Sequence, residues 1–173
     1  PRRTGELAGA LKSYREGLVI KDRLAKSDPG NALWQRDQWV SDERIGDVQV
    51  KQGDLSGALT SFRAGMVIME RLAKSDPTNA NWQSDLATAY GRVGEVQMEQ
   101  NDLAGALTSF RTCLAILDPL TKSHPGNTDW LARLSAINER IGDIQTEQGD
   151  KAGALKSYQT EQQVINALVK IDP

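Results

Sequence analysis

The chain has few of the residues that most often carry chemistry, since its 173 residues include one cysteine and one histidine. Cys113 cannot form an internal disulfide bond, and we expect a buried or half-buried thiol. His124 has no second histidine or cysteine nearby with which to bind a metal ion. No serine is placed beside a histidine–carboxylate pair that would activate it. The sequence therefore predicts a protein that is not an enzyme, with no catalytic residues, no metal and no cofactor.

Strong net charge and long apolar runs are also absent. The formal net charge is -2, which removes the electrostatic attraction that dominates nucleic-acid binding. The apolar runs are a few residues long, far short of the roughly 20 that span a bilayer. Apolar residues make up 39% and charged residues 25%, as in a folded water-soluble domain. We expect no nucleic-acid or membrane partner, and the single cysteine favours a cytoplasmic location.

The sequence does contain an internal repeat with a period of 48 residues. Residues 5–11 (GELAGAL) return in modified form as residues 53–59, 101–107 and 149–155, with no insertion or deletion. A fixed period of this size is typical of stacked supersecondary units that share one core.

This repeat divides the single array of residues 1–173 into full units at 5–52, 53–100 and 101–148 and a half unit at 149–173. Ordering one unit costs about 70 kcal/mol, whereas each buried Leu or Phe returns about 1.5–3 kcal/mol, so a lone unit should not be stable. The chain begins without methionine, in the second half of a repeat, which predicts a fragment of a longer protein.

Each unit is predicted to contain two antiparallel helices, A and B. Asn79 is the predicted cap of a helix A that runs to about Gln100, and Asp102 that of a helix B that ends near Ser123. The short connections between helices of about 20 residues require hairpin packing. The sequence thus predicts an all-α, right-handed α-solenoid of about seven helices. A glycine recurs near the start of each helix B, which predicts close backbone contact with a preceding helix; these are Gly9, Gly57, Gly105 and Gly153.

Two patterns recur in the helices of every copy. Helix B carries an alanine four positions before an aromatic residue, at Ala10/Tyr14, Ala58/Phe62, Ala106/Phe110 and Ala154/Tyr158. Helix A carries an aliphatic residue followed by glycine, at Ile45-Gly46, Val93-Gly94 and Ile141-Gly142. Over the whole chain these patterns resemble tetratricopeptide repeats. The resemblance implies a TPR-like superhelix that acts as a protein-interaction scaffold.

The length of the repeat departs from that family, whose usual period is about 34 residues. The difference corresponds to about seven extra residues, nearly two turns, in each helix. Trp34, Trp82 and Trp130 fall in the added turns of helix A, where we expect them to cover helix B. A HEAT or armadillo array, with a period of about 40–47 residues, is the alternative fold.

The resemblance also implies a binding surface, because the first helices of TPR proteins line the concave face. The candidate partner-binding residues at these positions are Glu43, Asp47, Val50, Thr88, Glu95, Met98, Glu99, Glu139, Asp143, Thr146 and Glu147. This face is acidic, which predicts a protein or peptide partner that is basic or rich in amides. The basic clamp of chaperone-binding family members is absent, so we do not expect binding to the acidic tails of heat-shock chaperones.

An arginine lies three residues before each member of an acidic ladder in helix A, which predicts exposed i, i+3 ion pairs. The pairs are Arg44/Asp47, Arg92/Glu95 and Arg140/Asp143.

Self-association is the alternative function, through apolar flanks of the terminal helices. These are Leu7, Leu11, Tyr14 and Leu18 at one end and Tyr158, Ile165 and Leu168 at the other. A further alternative is a regulatory or sensor segment of a larger bacterial signalling protein, an implication of the resemblance alone.

Overall fold

The computed structural model describes the backbone of residues 2–171 and the side chains of residues 5–171. Over that stretch the chain forms seven α-helices and no strand: α1 (Arg2–Ser27), α2 (Ala32–Gln52), α3 (Leu55–Ser75), α4 (Ala80–Glu99), α5 (Leu103–Ser123), α6 (Thr128–Glu147) and α7 (Lys151–Ile171). The predicted all-α fold of about seven helices is confirmed. Helices α2, α4 and α6 are the predicted A helices, and the other four are B helices. Pro1 and the last two residues of the half unit 149–173 lie outside the described residues.

The chain consists of two compact units, residues 1–78 and residues 79–173. In the first unit α2 packs against α1 and α3. In the second unit α4 packs against α5, α5 against α6, and α6 against α7. Helices that follow one another in the sequence are therefore neighbours within each unit, as their short connections require.

Each A helix begins at an asparagine cap, as predicted for Asn79. The side-chain oxygens of Asn31, Asn79 and Asn127 accept hydrogen bonds from the backbone N–H groups of Trp34, Trp82 and Trp130 at 3.3, 3.2 and 3.0 Å. The repeated tryptophan is thus the third residue of its helix, where the cap requires a backbone donor. Trp130 is buried and the other two are half-buried. Packing of these three rings against helix B stays a prediction.

Each A helix leads into its B helix through a residue with left-handed backbone. The φ angles of Gly53, Asn101 and Gly149 are 77°, 62° and 78°, a region that glycine and asparagine tolerate best. The aspartate that follows caps helix B, as predicted for Asp102. Its Oδ1 accepts a hydrogen bond from the N–H group of Gly105 at 3.0 Å.

A buried hydrogen-bonded clasp, absent from the sequence predictions, joins each A helix to the next B helix. Ser109 Oγ donates to Gln97 Oε1 at 2.6 Å, and Gln97 Nε2 donates to Asp102 Oδ2 at 3.2 Å. The same bonds recur in the other two hairpins, in one through Gln49, Asp54 and Ser61 and in the other through Gln145, Asp150 and Ser157. The clasp satisfies polar groups that burial would otherwise penalise.

The clasp also corrects the prediction for the glycines near the start of helix B. A β-carbon at Gly57 or Gly105 would overlap the side chains of the capping aspartate and the clasp glutamine, and the same holds at Gly153. The close contact is therefore with side chains, whereas the sequence predicted contact with backbone. At Gly9 no atom of the described residues lies within 4 Å of the β-carbon position, and no helix precedes α1 among them, so contact with a preceding helix stays a prediction there.

The Ala-x3-aromatic and aliphatic-Gly patterns meet in the core of each hairpin. The rings of Phe62, Phe110 and Tyr158 lie against Gly46, Gly94 and Gly142, respectively. A β-carbon at Gly94 would lie 2.6 Å from Phe110 Cε1, a distance that real β-carbons do not adopt. Phe110 is completely buried as a result. We call this contact the ring seat.

Helix α5 is long and apolar enough to cross a membrane by length and composition, with a mean hydropathy of 1.2. Its apolar side chains instead supply the core of the second unit, where Phe110 and Leu117 have no exposed surface. Core helices of water-soluble proteins commonly have this composition.

Candidate functional site

The second unit carries an open cavity lined by side chains of α4, α5 and α6. Its volume is about 310 Å³, at the lower end of the range of ligand sites. The lining residues are Ala87, Thr88, Gly91, Arg92, Glu95, Cys113, Arg133, Ala136 and Ile137. Apolar groups form the floor and charged groups the rim.

Small side chains create the depth of this cavity. Gly91 occupies the phase of the repeat that Glu43 and Glu139 hold in the other A helices. A β-carbon at Gly91 would lie 3.7 Å from Ile137 Cδ1 and 4.0 Å from Cys113 Sγ, which is ordinary van der Waals contact. Gly91 therefore leaves room for a β-carbon without displacing its neighbours.

The rim contains two arginines with different partners. Arg92 Nη1 lies 3.3 Å from Glu95 Oε2, which confirms one of the predicted ion pairs. Arg133 Nη1 donates hydrogen bonds to Thr88 Oγ1 and, at 3.4 Å, to Ser84 Oγ. Because both acceptors are neutral hydroxyl groups, the charge of Arg133 is available to an acidic ligand group.

A second cavity of about 480 Å³ shares Glu95 with the first. Met98, Glu99 and Arg140 complete its lining. Arg140 Nη1 lies 3.9 Å from Asp143 Oδ2, which confirms a second predicted ion pair. The third, between Arg44 and Asp47, stays a prediction. The two cavities adjoin at Glu95, and together we call them the α4–α6 groove; its charged lining residues are Arg92, Glu95, Glu99, Arg133 and Arg140.

The cysteine at the floor of the groove has no properties of a nucleophile. Burial raises the pKa of Cys113 to about 12; the charge of Glu95 raises it further, and that of Arg133 opposes the shift. The thiolate is the reactive form of cysteine. Cys113 is therefore protonated at neutral pH and serves as an apolar wall of the cavity.

The single histidine lies in an exposed turn, as predicted. The rings of His124 and Trp130 meet edge to face with centroids 5.2 Å apart, and Ser123 Oγ lies 2.9 Å from His124 Nδ1. Within residues 2–171 there is no group of three or more His, Cys, Asp or Glu side chains that could hold a metal ion.

Four of the predicted partner-binding residues line the groove: Thr88, Glu95, Met98 and Glu99. The candidates on α6 do not line either cavity. Asp143 accepts a hydrogen bond from the Tyr158 hydroxyl at 2.9 Å, and Thr146 Oγ1 lies 3.3 Å from that hydroxyl. These two residues therefore contact α7. Glu139 and Glu147 are exposed on α6, and Glu43, Asp47 and Val50 are half-buried on α2 in the first unit.

The other eight lining residues are not among the candidate partner-binding residues predicted from the sequence; Cys113, Arg133 and Ile137 belong to these eight. One signal pointed to Arg133, which replaces the aspartates Asp37 and Asp85 found at the same phase of the other A helices. A charge reversal within an otherwise regular repeat indicates that the packing of the helices does not require a particular charge at this position.

The terminal residues proposed for self-association differ in exposure. Leu7, Leu11 and Leu18 are half-buried, and 38% of Tyr14 is exposed. On α7 the predicted Tyr158, Ile165 and Leu168 are half-buried, whereas the exposed apolar residues of that helix are Leu155, Val169 and Ile171.

No protein-family model matches the chain, and neither does any curated protein. Among solved structures, the chain is similar to MamA RS-1 in an ArsTM double mutant, with 12% identity over 92% of this chain and 70% of that one and a TM-score of 0.46. It is also similar to MamA, with 16% identity over 98% and 94% of the two chains and a TM-score of 0.38. The C-terminal part of a TPR repeat-containing protein from Cytophaga hutchinsonii shares 12% identity over 94% and 98%, with a TM-score of 0.21.

Proposed function

We propose that the protein is a non-catalytic protein-interaction scaffold and that the α4–α6 groove binds a peptide segment of its partner. The observation that carries this proposal is the pair of cavities that adjoin at Glu95, with apolar and charged side chains in their lining. The division into 48-residue units and a cytoplasmic location belong to the same proposal. The candidates on α2 and α6 that do not line the groove are left out of the proposed site.

The lining defines the chemistry of the ligand. The cavity over Gly91 accommodates one apolar side chain against Ile137 and Cys113. Glu95 is already paired with Arg92, so the carboxylate of Glu99 is the group that favours a basic residue on one side of that anchor, and Met98 adds apolar contact. Arg133 favours an acidic residue on the other side, which makes the groove bipolar where the sequence predicted a purely acidic face.

Selection from a random peptide library displayed on phage tests this proposal. The intact chain is the bait, and each enriched peptide is then measured against Gly91→Glu, which fills the cavity with the residue that α2 and α6 hold at this phase. We expect affinity to fall at least about tenfold, since one buried apolar side chain contributes about 1.5–3 kcal/mol.

Gly126→Glu is the matched control, because Gly126 lies in an exposed turn of the same unit with nothing within 4 Å of its β-carbon position. It adds the same charge and should leave affinity unchanged. Enriched peptides that bind wild type and Gly91→Glu equally well would reject the groove as the binding site.

A further inference from the structure

One tryptophan stands outside the repeated series of Trp34, Trp82 and Trp130. Trp39 lies in α2, where only 6% of it is exposed. Its Cδ1 and Nε1 atoms are 2.8 and 3.6 Å from the position that a β-carbon would take on Gly65 of α3. The indole ring therefore covers Gly65, and a side chain at that position would require the ring to move. Trp39 and Gly65 form a pair of one large and one small residue at the contact between α2 and α3.

The α4–α5 hairpin has a different pair at the same two places. Ala87 and Cys113 stand 48 residues after Trp39 and Gly65. Residues 48 positions apart hold equivalent places in the two hairpins, because the ring seat and the clasp join the helices in the same way in both. The change from tryptophan to alanine removes an indole ring, and the change from glycine to cysteine restores only a methylene and a thiol group. Ala87 and Cys113, both buried, line the cavity of about 310 Å³.

We infer that this cavity binds a tryptophan side chain of the partner, in the place that Trp39 fills within the α2–α3 hairpin. The inference rests on the proposed function and names the side chain that anchors the bound peptide. The residue from the partner thus completes in the second unit the packing that the chain completes by itself in the first.

The polar lining of the cavity favours an indole over an aliphatic side chain. In α2 the guanidinium carbon of Arg36 lies 5.6 Å from the centroid of the Trp39 ring, within the range of cation–π interactions. Arg133 lines the cavity and donates to neutral hydroxyl groups, so its guanidinium group is able to stack on an aromatic ring. Thr88 and Glu95 also line the cavity and supply oxygen acceptors for an indole N–H group. Leucine or isoleucine would gain neither interaction.

Titration of the ¹⁵N-labelled chain with N-acetyl-tryptophanamide tests this inference directly. We expect saturable shifts of the backbone amides of Gly91 and Cys113 in a ¹H–¹⁵N correlation spectrum. N-acetyl-leucinamide, the matched control compound, should bind at least about tenfold more weakly, because it buries less apolar surface and has no aromatic face. Shifts that occur only elsewhere in the chain, or equal binding of the two compounds, would overturn the inference.

A variant that supplies its own tryptophan gives a second test. Ala87→Trp combined with Cys113→Gly rebuilds the pair of Trp39 and Gly65 in the α4–α5 hairpin. We expect this double variant to keep its helices by circular dichroism and to lose the N-acetyl-tryptophanamide shifts at Gly91, because its own ring fills the cavity. Cys113→Gly alone is the control and should retain them. Unchanged binding by the folded double variant would overturn the inference, and the titration of the unmodified chain decides the question if the double variant does not fold.

The library selection separates this inference from the proposed function. We expect a tryptophan in the enriched peptides whose affinity falls with Gly91→Glu. Peptides that lose affinity with Gly91→Glu but contain no tryptophan would overturn this inference alone and leave the proposed function intact. Peptides that bind Gly91→Glu as well as the wild type would reject the proposed function, whether or not N-acetyl-tryptophanamide binds.

Discussion

The A helices α2 and α4 share three features that shape the hairpin but differ in the side chains that lie beside them. Both carry the ring-seat glycine, and both end in a left-handed residue and supply a clasp glutamine. Two adjacent positions stand out among those at which the two helices differ: α2 has Asp42 and Glu43 where α4 has Tyr90 and Gly91. Asp42 is a buried carboxyl group, whereas Gly91 opens a cavity. We call the ring seat, the left-handed residue and the clasp the constant frame, because both hairpins share them and they determine the fold. The positions that differ between the two helices are the variable positions, and these are free to determine function.

Substitution of Asp42 should produce the largest change in the free energy of unfolding. Burial, with a smaller contribution from the charge of Asp22, raises the pKa of Asp42 from 3.8 to about 7. Between these values the unfolded chain releases a proton that the folded chain retains, so stability falls as the pH rises from about 4 to 7. We expect Asp42→Asn to raise the free energy of unfolding by about 3 kcal/mol at pH 8 and to have little effect at pH 4. Urea denaturation at both pH values measures this difference.

The chain offers a precedent and a control for this substitution. Asn138 is native at the same phase of α6, where its Nδ2 donates to Leu134 O at 2.8 Å. Asp37→Asn removes an exposed carboxylate from the same helix as Asp42. Asp42→Asn could raise the free energy of unfolding equally at pH 4 and pH 8, or Asp37→Asn could raise it by the same amount. Either result would show that the gain in stability does not come from the burial of the Asp42 carboxyl group.

Two glycines three residues apart on α4 should respond to the same substitution with opposite signs. Gly94→Ala places a β-carbon inside the ring seat, and overpacking of this kind costs about 1–3 kcal/mol. Gly91→Ala meets only ordinary contacts and gains up to about 1 kcal/mol from the better helix propensity of alanine. Thermal or urea denaturation of the two variants gives the two signs. Equal changes in stability for the two variants would mean that Gly94 and Gly91 do not differ as a frame position and a variable position.

The clasp predicts a smaller loss of stability that is the same in the α2–α3 and α4–α5 hairpins. Gln97→Ala leaves the buried Ser109 hydroxyl without its acceptor, and Gln49→Ala does the same to the half-buried Ser61 hydroxyl. Each should lower the free energy of unfolding by about 1–2 kcal/mol. Gln100→Ala, at the exposed end of α4, is the control and should change stability by less than about 0.5 kcal/mol. If only one of the two glutamine variants lost stability, the clasp would not be part of the constant frame.

The frame was predictable where it depends on local sequence. Asn79 and Asp102 identified the starts of α4 and α5, because a cap bonds to the backbone two or three residues away. The clasp was not predicted, since Gln97 and Ser109 are twelve residues apart and meet only once the hairpin has formed. Gln97 falls in the apolar stripe of α4, and its polar role depends on a partner in another helix.

The groove was only partly predictable for a related reason. Family resemblance identified the exposed side of α4, which gave Thr88, Glu95, Met98 and Glu99. It did not identify Arg133 or Cys113, because a cavity depends on which side chains are small and on which neighbouring helices meet. The hydrogen bond between Asp143 and Tyr158 was not predicted either, because these residues are fifteen positions apart and lie on different helices.

The most direct test of the groove is a ¹H–¹⁵N correlation spectrum of the chain titrated with the tightest peptide from the library selection. The account predicts saturable shifts of backbone amides at Gly91, Glu95 and Met98, with those around Gly46 in α2 unchanged. Shifts confined to the first unit or to α7 would contradict it.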